Sequence, residues 1–132
     1  MNARRWDQTT TVLVVDDEML IRLMATEYLR DCGFHVLEAS SADEAIGVLI
    51  SEHHIDVLFS DVRMPGSMNG FQLAQWVRTH RPTTEIILAS GYADKDEASA
   101  HLFNPSDVLA KPYELLVLSR RIQSLLATAR SG

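Results

Sequence analysis

Five short apolar runs, rich in β-branched residues, divide the chain, and each has the length of one β-strand. They lie at residues 11–16, 34–39, 55–61, 85–90 and 107–111. Between and after them, apolar residues recur at helical spacing in the segments 19–33, 41–53, 71–82 and 113–129. Strict alternation of helices with almost continuously apolar strands predicts a parallel sheet covered by helices on both faces, which is an α/β fold.

Several residues at the segment ends support these helices. Gly33 suits the position just after a helix, and Pro82 stops the third helical segment. Ser41, followed three residues later by Glu44, is the pattern of a capping box. A further segment, residues 93–106, contains few apolar residues. We expect it to form a short, exposed or mobile helix.

The length and composition indicate one domain. A chain of 132 residues that is 46% hydrophobic has the size and apolar content to bury its own core. Neither a repeat nor a low-complexity segment interrupts it. We predict a flexible N-terminal extension at residues 1–10, a domain at residues 11–129 and a short tail at residues 130–132.

The charge and the targeting signals exclude several functional classes. The net charge of −6 and the lack of any Lys/Arg-rich run argue against direct binding of nucleic acid. The single cysteine, Cys32, cannot form a disulfide within the chain. The N-terminal residues lack the apolar stretch of a signal peptide, and no apolar run approaches the ~20 residues of a membrane span. We therefore expect a soluble, cytoplasmic protein without a membrane partner.

Polar side chains stand where the predicted strands end. Asp16 and Asp17 follow the first strand, Asp61 ends the third, Ser90 ends the fourth and Lys111 ends the fifth. In an open parallel sheet, ligands bind at the carboxyl ends of the strands. The sequence therefore predicts that these five residues meet at one edge of the sheet.

Three carboxylates in one pocket repel each other unless a cation neutralises them. Because the donors are oxygens, without His or Cys, the sequence favours a hard cation, and Mg²⁺ suits such a site when a phosphate is also present. Asp16 and Asp17 would hold the metal, with Asp61 and the backbone carbonyl of Arg63 as further ligands. Asp61 is the candidate nucleophile for phosphoryl transfer, because a carboxylate can form an aspartyl phosphate.

Two more polar groups would serve the phosphate itself. Lys111 supplies a positive charge for a phosphate oxygen, and the Ser90 hydroxyl can donate to another. These groups complete a site suited to phosphoryl transfer onto a carboxylate.

Four motifs now carry a resemblance to a known family. "VLVVDDE", "DVLFSDVRMPG", "IILASGY" and "LAKPY", in this order and spacing, resemble the receiver domain of two-component response regulators, the CheY-like family. The likeness covers about residues 11–129. It implies a flavodoxin-like (βα)5 doubly wound sheet with strand order 2-1-3-4-5.

The resemblance also implies roles and partners. Asp61 would be phosphorylated by a histidine kinase or a histidine phosphotransfer protein in two-component signal transduction, with Mg²⁺ at Asp16, Asp17 and the Arg63 carbonyl. Ser90 would be the switch hydroxyl, Lys111 would bind phosphate, and the Lys111–Pro112 peptide bond would be cis. A receiver is a signalling domain that takes part in its own phosphorylation and dephosphorylation, and is not a conventional enzyme.

A downstream protein would read the face formed by the fourth predicted helix, the fifth strand and the final helix. The sequence leaves open whether the protein forms a dimer. It also leaves open whether the receiver acts as a lasting switch or as a phosphate carrier.

The chain departs from the common receiver pattern in three places. The loop "MPGSMNG" is one residue longer than usual and has Asn69 where Asp is common. Val108 stands where a switch aromatic is expected, and "LASGY" is similar to the segment of some alphaproteobacterial single-domain receivers. We expect a stand-alone receiver because the chain contains no output domain beside it. Because Val108 leaves space where an aromatic often lies, we expect Tyr92 to take over part of the switching role. Arg63 and Tyr92 would also shield the aspartyl phosphate from water.

Two other functions compete with this one. A phosphohydrolase of the haloacid dehalogenase type would need a second Asp two residues after the nucleophile, where Arg63 stands. A flavodoxin-like flavin carrier would need a Ser/Thr/Gly-rich phosphate loop where Asp16, Asp17 and Glu18 stand. Flavin absorbance would distinguish the second from a receiver.

Overall fold

The structure is a computed structural model that describes residues 10–52, 54–91 and 107–131. Five parallel strands form one sheet in the order β2-β1-β3-β4-β5. The strands are β1 Thr11–Val15, β2 His35–Ala39, β3 Val57–Asp61, β4 Glu85–Ser90 and β5 Val108–Ala110. The helices of the described part are α1 Met19–Asp31, α2 Ala42–Ser51, α3 Gly70–His80 and α4 Leu115–Ser131. This arrangement confirms the predicted flavodoxin-like α/β fold and its strand order.

Helices cover both faces of the sheet because successive strand residues point to opposite sides. In β1, Leu13 and Val15 belong to a core cluster with α2 and α3. Val12 and Val14 belong to a second cluster with α1 and α4. The central strand β3 is buried at every position. Its burial on both faces explains why its sequence is continuously apolar until Asp61.

Local signals in the sequence set the helix starts. The Ser41 side chain accepts a hydrogen bond from Glu44 N–H, as predicted, but the Glu44 carboxylate accepts from Ser40 N–H at 2.8 Å instead of from Ser41. The complete capping box is at α3, where Asn69 and Gln72 each accept from the other's backbone N–H at 2.9 and 2.8 Å. Asn69, noted in the sequence as a departure from Asp, therefore acts as a helix cap.

The remaining boundaries differ little from the prediction. Thr10, assigned to the flexible extension, is buried, and its carbonyl accepts from His35 N–H at 2.9 Å. The final helix reaches Ser131. The predicted fourth helix at residues 93–106 lies outside the described residues. Among those described, no helix has the length and apolar character to cross a membrane.

Candidate phosphoacceptor site

Asp61 is the last residue of β3, in the middle of the carboxyl edge of the sheet, and is 4% exposed. Its Oδ1 lies 2.6 Å from Lys111 Nζ, which extends from the residue after β5. The N–H of Arg63 lies 3.4 Å from the same oxygen. The burial of this carboxylate is therefore compensated mainly by one lysine, whose side chain remains about one-third exposed.

The backbone beneath Asp61 rests on the first residue of α3. A Cβ added to Gly70 would overlap the Asp61 carbonyl oxygen and come within 2.7 Å of Val62 Cα. Gly70 N–H also donates to the Val62 carbonyl at 3.0 Å. A glycine is needed at this point because the end of β3 and the start of α3 approach so closely. Their contact fixes where the Asp61 carboxylate stands.

Asp16 follows β1 and faces Asp61 across the sheet edge. It is 6% exposed, and its Oδ1 accepts a hydrogen bond from Glu18 N–H at 2.9 Å. Burial raises the pKa of Asp16 above its ordinary value, and the negative charge of Asp61 raises it further. The Glu18 hydrogen bond and the positive charge of Lys111 act in the opposite direction. The surroundings of Asp16 thus favour its neutral form more than water does.

Carboxylate oxygens of Asp16, Glu18 and Asp61 all lie within 4.8 Å of one another. Such a set of hard oxygen donors fits Mg²⁺. Asp17, predicted from the sequence as a ligand, is exposed and does not belong to this group. Glu18, which is also exposed, was not named as a ligand in the sequence analysis, and the ligand role of Asp17 stays a prediction.

Ser90 and Lys111 are joined through the backbone. Lys111 N–H donates to the Ser90 carbonyl at 2.9 Å, so the ends of β4 and β5 are held side by side. The Ser90 hydroxyl is buried and donates to the Gly91 carbonyl at 3.1 Å. The Lys111–Pro112 peptide bond is cis, as expected.

Of the three residues predicted to modulate the switch, the structure describes Arg63 and Val108. Arg63 is exposed on the loop after β3, and Val108 is partly buried against the core cluster of α2 and α3. Tyr92 lies outside the described residues. The proposed shielding by Arg63 and Tyr92 therefore stays a prediction.

Tyr113 is a site residue that the sequence reasoning missed. Its ring meets Phe59 edge to face at a centroid distance of 5.3 Å. Burial, together with the charges of Asp16 and Asp61, raises the pKa of Tyr113 to about 12. A signal was available in "LAKPY", where the tyrosine follows the site lysine by only two residues.

A cavity of about 380 Å³ opens beside the carboxylates. Its polar end contains Asp16, Glu18 and Lys111, and the other lining residues are Ile21, Met24, Pro112, Tyr113 and Leu115. Two of these lining residues, Ile21 and Met24, lie on α1, which also exposes Met19 at 65% and Leu20 at 69%. An exposed apolar surface of this kind commonly marks a protein contact.

Comparison with known proteins decides the family. Residues 12–123 match the family described as response regulator receiver domain. The chain belongs to the response regulator receiver family. Receiver domains are signalling domains of two-component systems, in which phosphorylation and Mg²⁺ dependence are general.

Individual relatives agree with this assignment. The heme response regulator HssR of Staphylococcus saprophyticus is 32% identical over 117 residues, which are 89% of this chain and 51% of that protein. The sensor kinase CckA of Brucella abortus is 33% identical over 123 residues, covering 89% of this chain and 13% of the kinase. The chain thus spans about half of HssR and a small part of CckA.

A solved receiver domain confirms the fold. The crystal structure of a response regulator receiver domain protein from Clostridium thermocellum superimposes with a TM-score of 0.84 at 28% identity, covering 92% of this chain and 97% of that one.

Proposed function

We propose that this receiver accepts a phosphoryl group on Asp61, in a Mg²⁺-dependent reaction, from a histidine kinase or a histidine phosphotransfer protein. The observation that carries the proposal is the buried Asp61 carboxylate, which is paired with Lys111 at 2.6 Å and clustered with Asp16 and Glu18. Asp61 ends a central strand, and two of its neighbours, Asp16 and Lys111, line the cavity.

The chemistry follows from these groups. An Asp61 carboxylate oxygen attacks phosphorus, the O–P bond forms, and the N–P bond of the phosphohistidine breaks with its electron pair returning to the imidazole. Lys111 pairs with Asp61 before transfer, and it neutralises a phosphoryl oxygen afterwards. The Ser90 hydroxyl exchanges its bond to the Gly91 carbonyl for a phosphoryl oxygen. When bound, Mg²⁺ would neutralise the charge that accumulates on the carboxylates and the phosphoryl group.

The ligands available for the metal are Asp16, Asp61, the Arg63 carbonyl and one of the two acids that follow Asp16. Both are exposed, but Glu18 belongs to the group of carboxylates that lie within 4.8 Å of one another and Asp17 does not. Glu18→Gln and Asp17→Asn therefore form an informative pair. The variant that loses more affinity for Mg²⁺ identifies the ligand, and equal affinities in both variants and the wild type would contradict either assignment.

Labelling with a small-molecule donor tests the acceptor. Acetyl phosphate and Mg²⁺ should give an acid-stable, base-labile phosphate on the wild type and none on Asp61→Asn. Asp56→Asn is the matched control, because Asp56 is also buried, at 8% exposure, but lies at the other edge of the sheet. Labelling of Asp61→Asn at the wild-type level would refute the proposal.

The apolar surface of α1 provides the docking place for the phosphodonor protein. It adjoins the cavity that leads to Asp16 and Lys111, so a protein resting there would present its histidine to Asp61. Leu20→Glu should slow phosphotransfer from a kinase that phosphorylates the wild type, while leaving labelling by acetyl phosphate unchanged. Ile50→Glu, an equally drastic change at a 64% exposed position on α2, should affect neither reaction. A kinase reaction as fast in Leu20→Glu as in the wild type would place docking elsewhere.

Output is proposed to pass through the face formed by residues 93–106, β5 and α4. Phosphorylation adds charge and acceptor oxygens, which Ser90 and Lys111 would follow. Hydrogen exchange with and without beryllofluoride should then differ most on that face. A difference confined to α1 and α2 would contradict this route. Stand-alone action and the absence of nucleic-acid binding stay predictions of the sequence.

A further inference from the structure

Arg22, in the first turns of α1, has a side chain that is 17% exposed and is held in two directions. Its Nη1 donates to the Asp16 carbonyl at 2.8 Å, and its Nε donates to Glu38 Oε1 at 3.2 Å. Its backbone N–H donates to the Glu18 carbonyl at 2.9 Å. The Arg22 side chain thus holds the start of the turn at residues 16–18, and its backbone belongs to the helix that follows this turn.

The same turn is fixed from its other sides as well. Asp16 N–H donates to the Ala39 carbonyl of β2 at 3.2 Å, and Glu18 N–H donates to the Asp16 carboxylate at 2.9 Å. With the Asp16 carbonyl drawn toward Arg22 on one side, the Asp16 carboxylate stays on the side that faces Asp61. The guanidinium can hold both acceptors at once because its donors form a rigid planar fork.

We propose that Arg22 is a positioning residue for the metal site. It ties the Asp16 carbonyl to Glu38 and so keeps the Asp16 and Glu18 carboxylates in the arrangement that binds Mg²⁺, and this inference rests on the proposed Mg²⁺-dependent function. Outer partners that orient metal ligands commonly change metal affinity about 10–100-fold when they are removed.

Charge repulsion and positioning predict opposite changes in Mg²⁺ affinity when the Arg22 guanidinium is removed, so the proposal can be tested. A guanidinium hydrogen-bonded to the Asp16 carbonyl repels a second cation bound nearby, so removing its charge should tighten Mg²⁺ binding if charge alone matters. Loss of positioning should weaken it. The sign of the change therefore separates the two effects.

Arg30 offers a matched control on the same helix. Its Nη2 lies 3.7 Å from Glu38 Oε2 and donates to the Val36 carbonyl at 2.9 Å. It shares the partner Glu38 with Arg22, and its substitution removes the same charge. Its hydrogen bonds do not reach the turn at residues 16–18.

The experiment is isothermal titration calorimetry with MgCl₂ on the wild type, Arg22→Met, Arg22→Lys and Arg30→Met, at a temperature where circular dichroism shows each protein folded. We expect Arg22→Met to bind Mg²⁺ about tenfold or more weakly than the wild type. Arg30→Met should stay within about twofold of the wild type. Arg22→Lys keeps the charge but not the planar fork, so its affinity should fall between those of the wild type and Arg22→Met.

Each outcome decides one question. Arg22→Met with equal or tighter Mg²⁺ binding would overturn the positioning role, while Mg²⁺ binding by the wild type would leave the proposed function intact. A wild type that binds no Mg²⁺ would instead contradict the proposed function. Should Arg22→Met not fold, Arg22→Lys decides, because wild-type affinity in that variant overturns the inference. An equal loss in Arg30→Met would do the same, since it would show a general effect of α1.

Discussion

At the amino edge of the sheet, the buried Asp56 has a partner for each carboxylate oxygen: Thr11 N–H donates to Oδ2 at 2.8 Å, and His54 Nε2 lies 2.6 Å from Oδ1. At the carboxyl edge, Asp16, Glu18 and Asp61 crowd together, with Lys111 as the cation paired to Asp61. The same sheet thus carries one acid that ties strands together and a set of acids that repel one another. The difference indicates that the acid at the amino edge stabilises the fold, whereas the acids at the carboxyl edge are arranged to bind a ligand.

The largest expected effect is a difference in the free energy of unfolding between variants at the two edges. Asp56→Ala leaves the partly buried Thr11 N–H without its acceptor, so we expect the free energy of unfolding to fall by about 2–3 kcal/mol. Asp61→Asn removes like-charge repulsion from Asp16 and Glu18, so its free energy of unfolding should be unchanged or higher than that of the wild type. Urea unfolding without Mg²⁺ measures both. A similar loss of unfolding free energy in both variants would show that the two edges do not differ in this way.

Substitutions at two helical glycines test whether α3 fixes the end of β3 at the carboxyl edge. Gly70→Ala should lower the free energy of unfolding by about 1–3 kcal/mol, because the added Cβ has no room against Asp61 and Val62. The shift of Asp61 should also slow labelling by acetyl phosphate. Gly47→Ala, in α2 with open space around its Cβ, should stabilise the protein by about 0.5–1 kcal/mol. Tolerance of Gly70→Ala would show that the end of β3 is not fixed by α3.

A metal should stabilise only the carboxyl edge. Mg²⁺ bound solely by the native state adds about 1.4 kcal/mol to the free energy of unfolding at ten times its Kd. Thermal unfolding should therefore shift upward with MgCl₂ in the wild type and in Asp56→Asn, but much less in Asp16→Asn. An identical shift in Asp16→Asn would move the metal elsewhere.

The smallest effect is a pH dependence in the absence of metal. The pKa of Asp16 is raised in the folded state by burial and by Asp61, so the folded state binds the proton more tightly than the unfolded state does. The resulting stability is fully present below the unfolded value of 3.8 and is lost as the pH rises through the raised pKa.

The unfolding free energy should therefore fall more steeply across that window in the wild type than in Asp16→Asn. Glu85, whose pKa is raised by burial and by Asp107, contributes with the same sign, and Glu85→Gln isolates its share. Added Mg²⁺ should reduce the contribution of Asp16 but not that of Glu85. An identical pH slope in the wild type and in Asp16→Asn would refute the assignment.

The order of residues along the chain already determined the fold class and most of the site. Strands buried on both faces must be continuously apolar, so β1, β3 and β4 could be found from their composition. Because all strands of a parallel sheet end at one edge, Asp16, Asp61, Ser90 and Lys111 could be brought together before any coordinates were known. The apolar segments also predicted α1, α2 and α3, with errors of a few residues at their ends.

Only the tertiary structure decided which acids converge and what holds them. Asp17 and Glu18 are equivalent in sequence and both are exposed, but only the Glu18 carboxylate lies within 4.8 Å of those of Asp16 and Asp61. Arg22 reads as an ordinary helical arginine until its contacts with the Asp16 carbonyl and Glu38 are seen. Such details depend on side-chain directions and on contacts between residues far apart in the chain, and local periodicity carries no information about either.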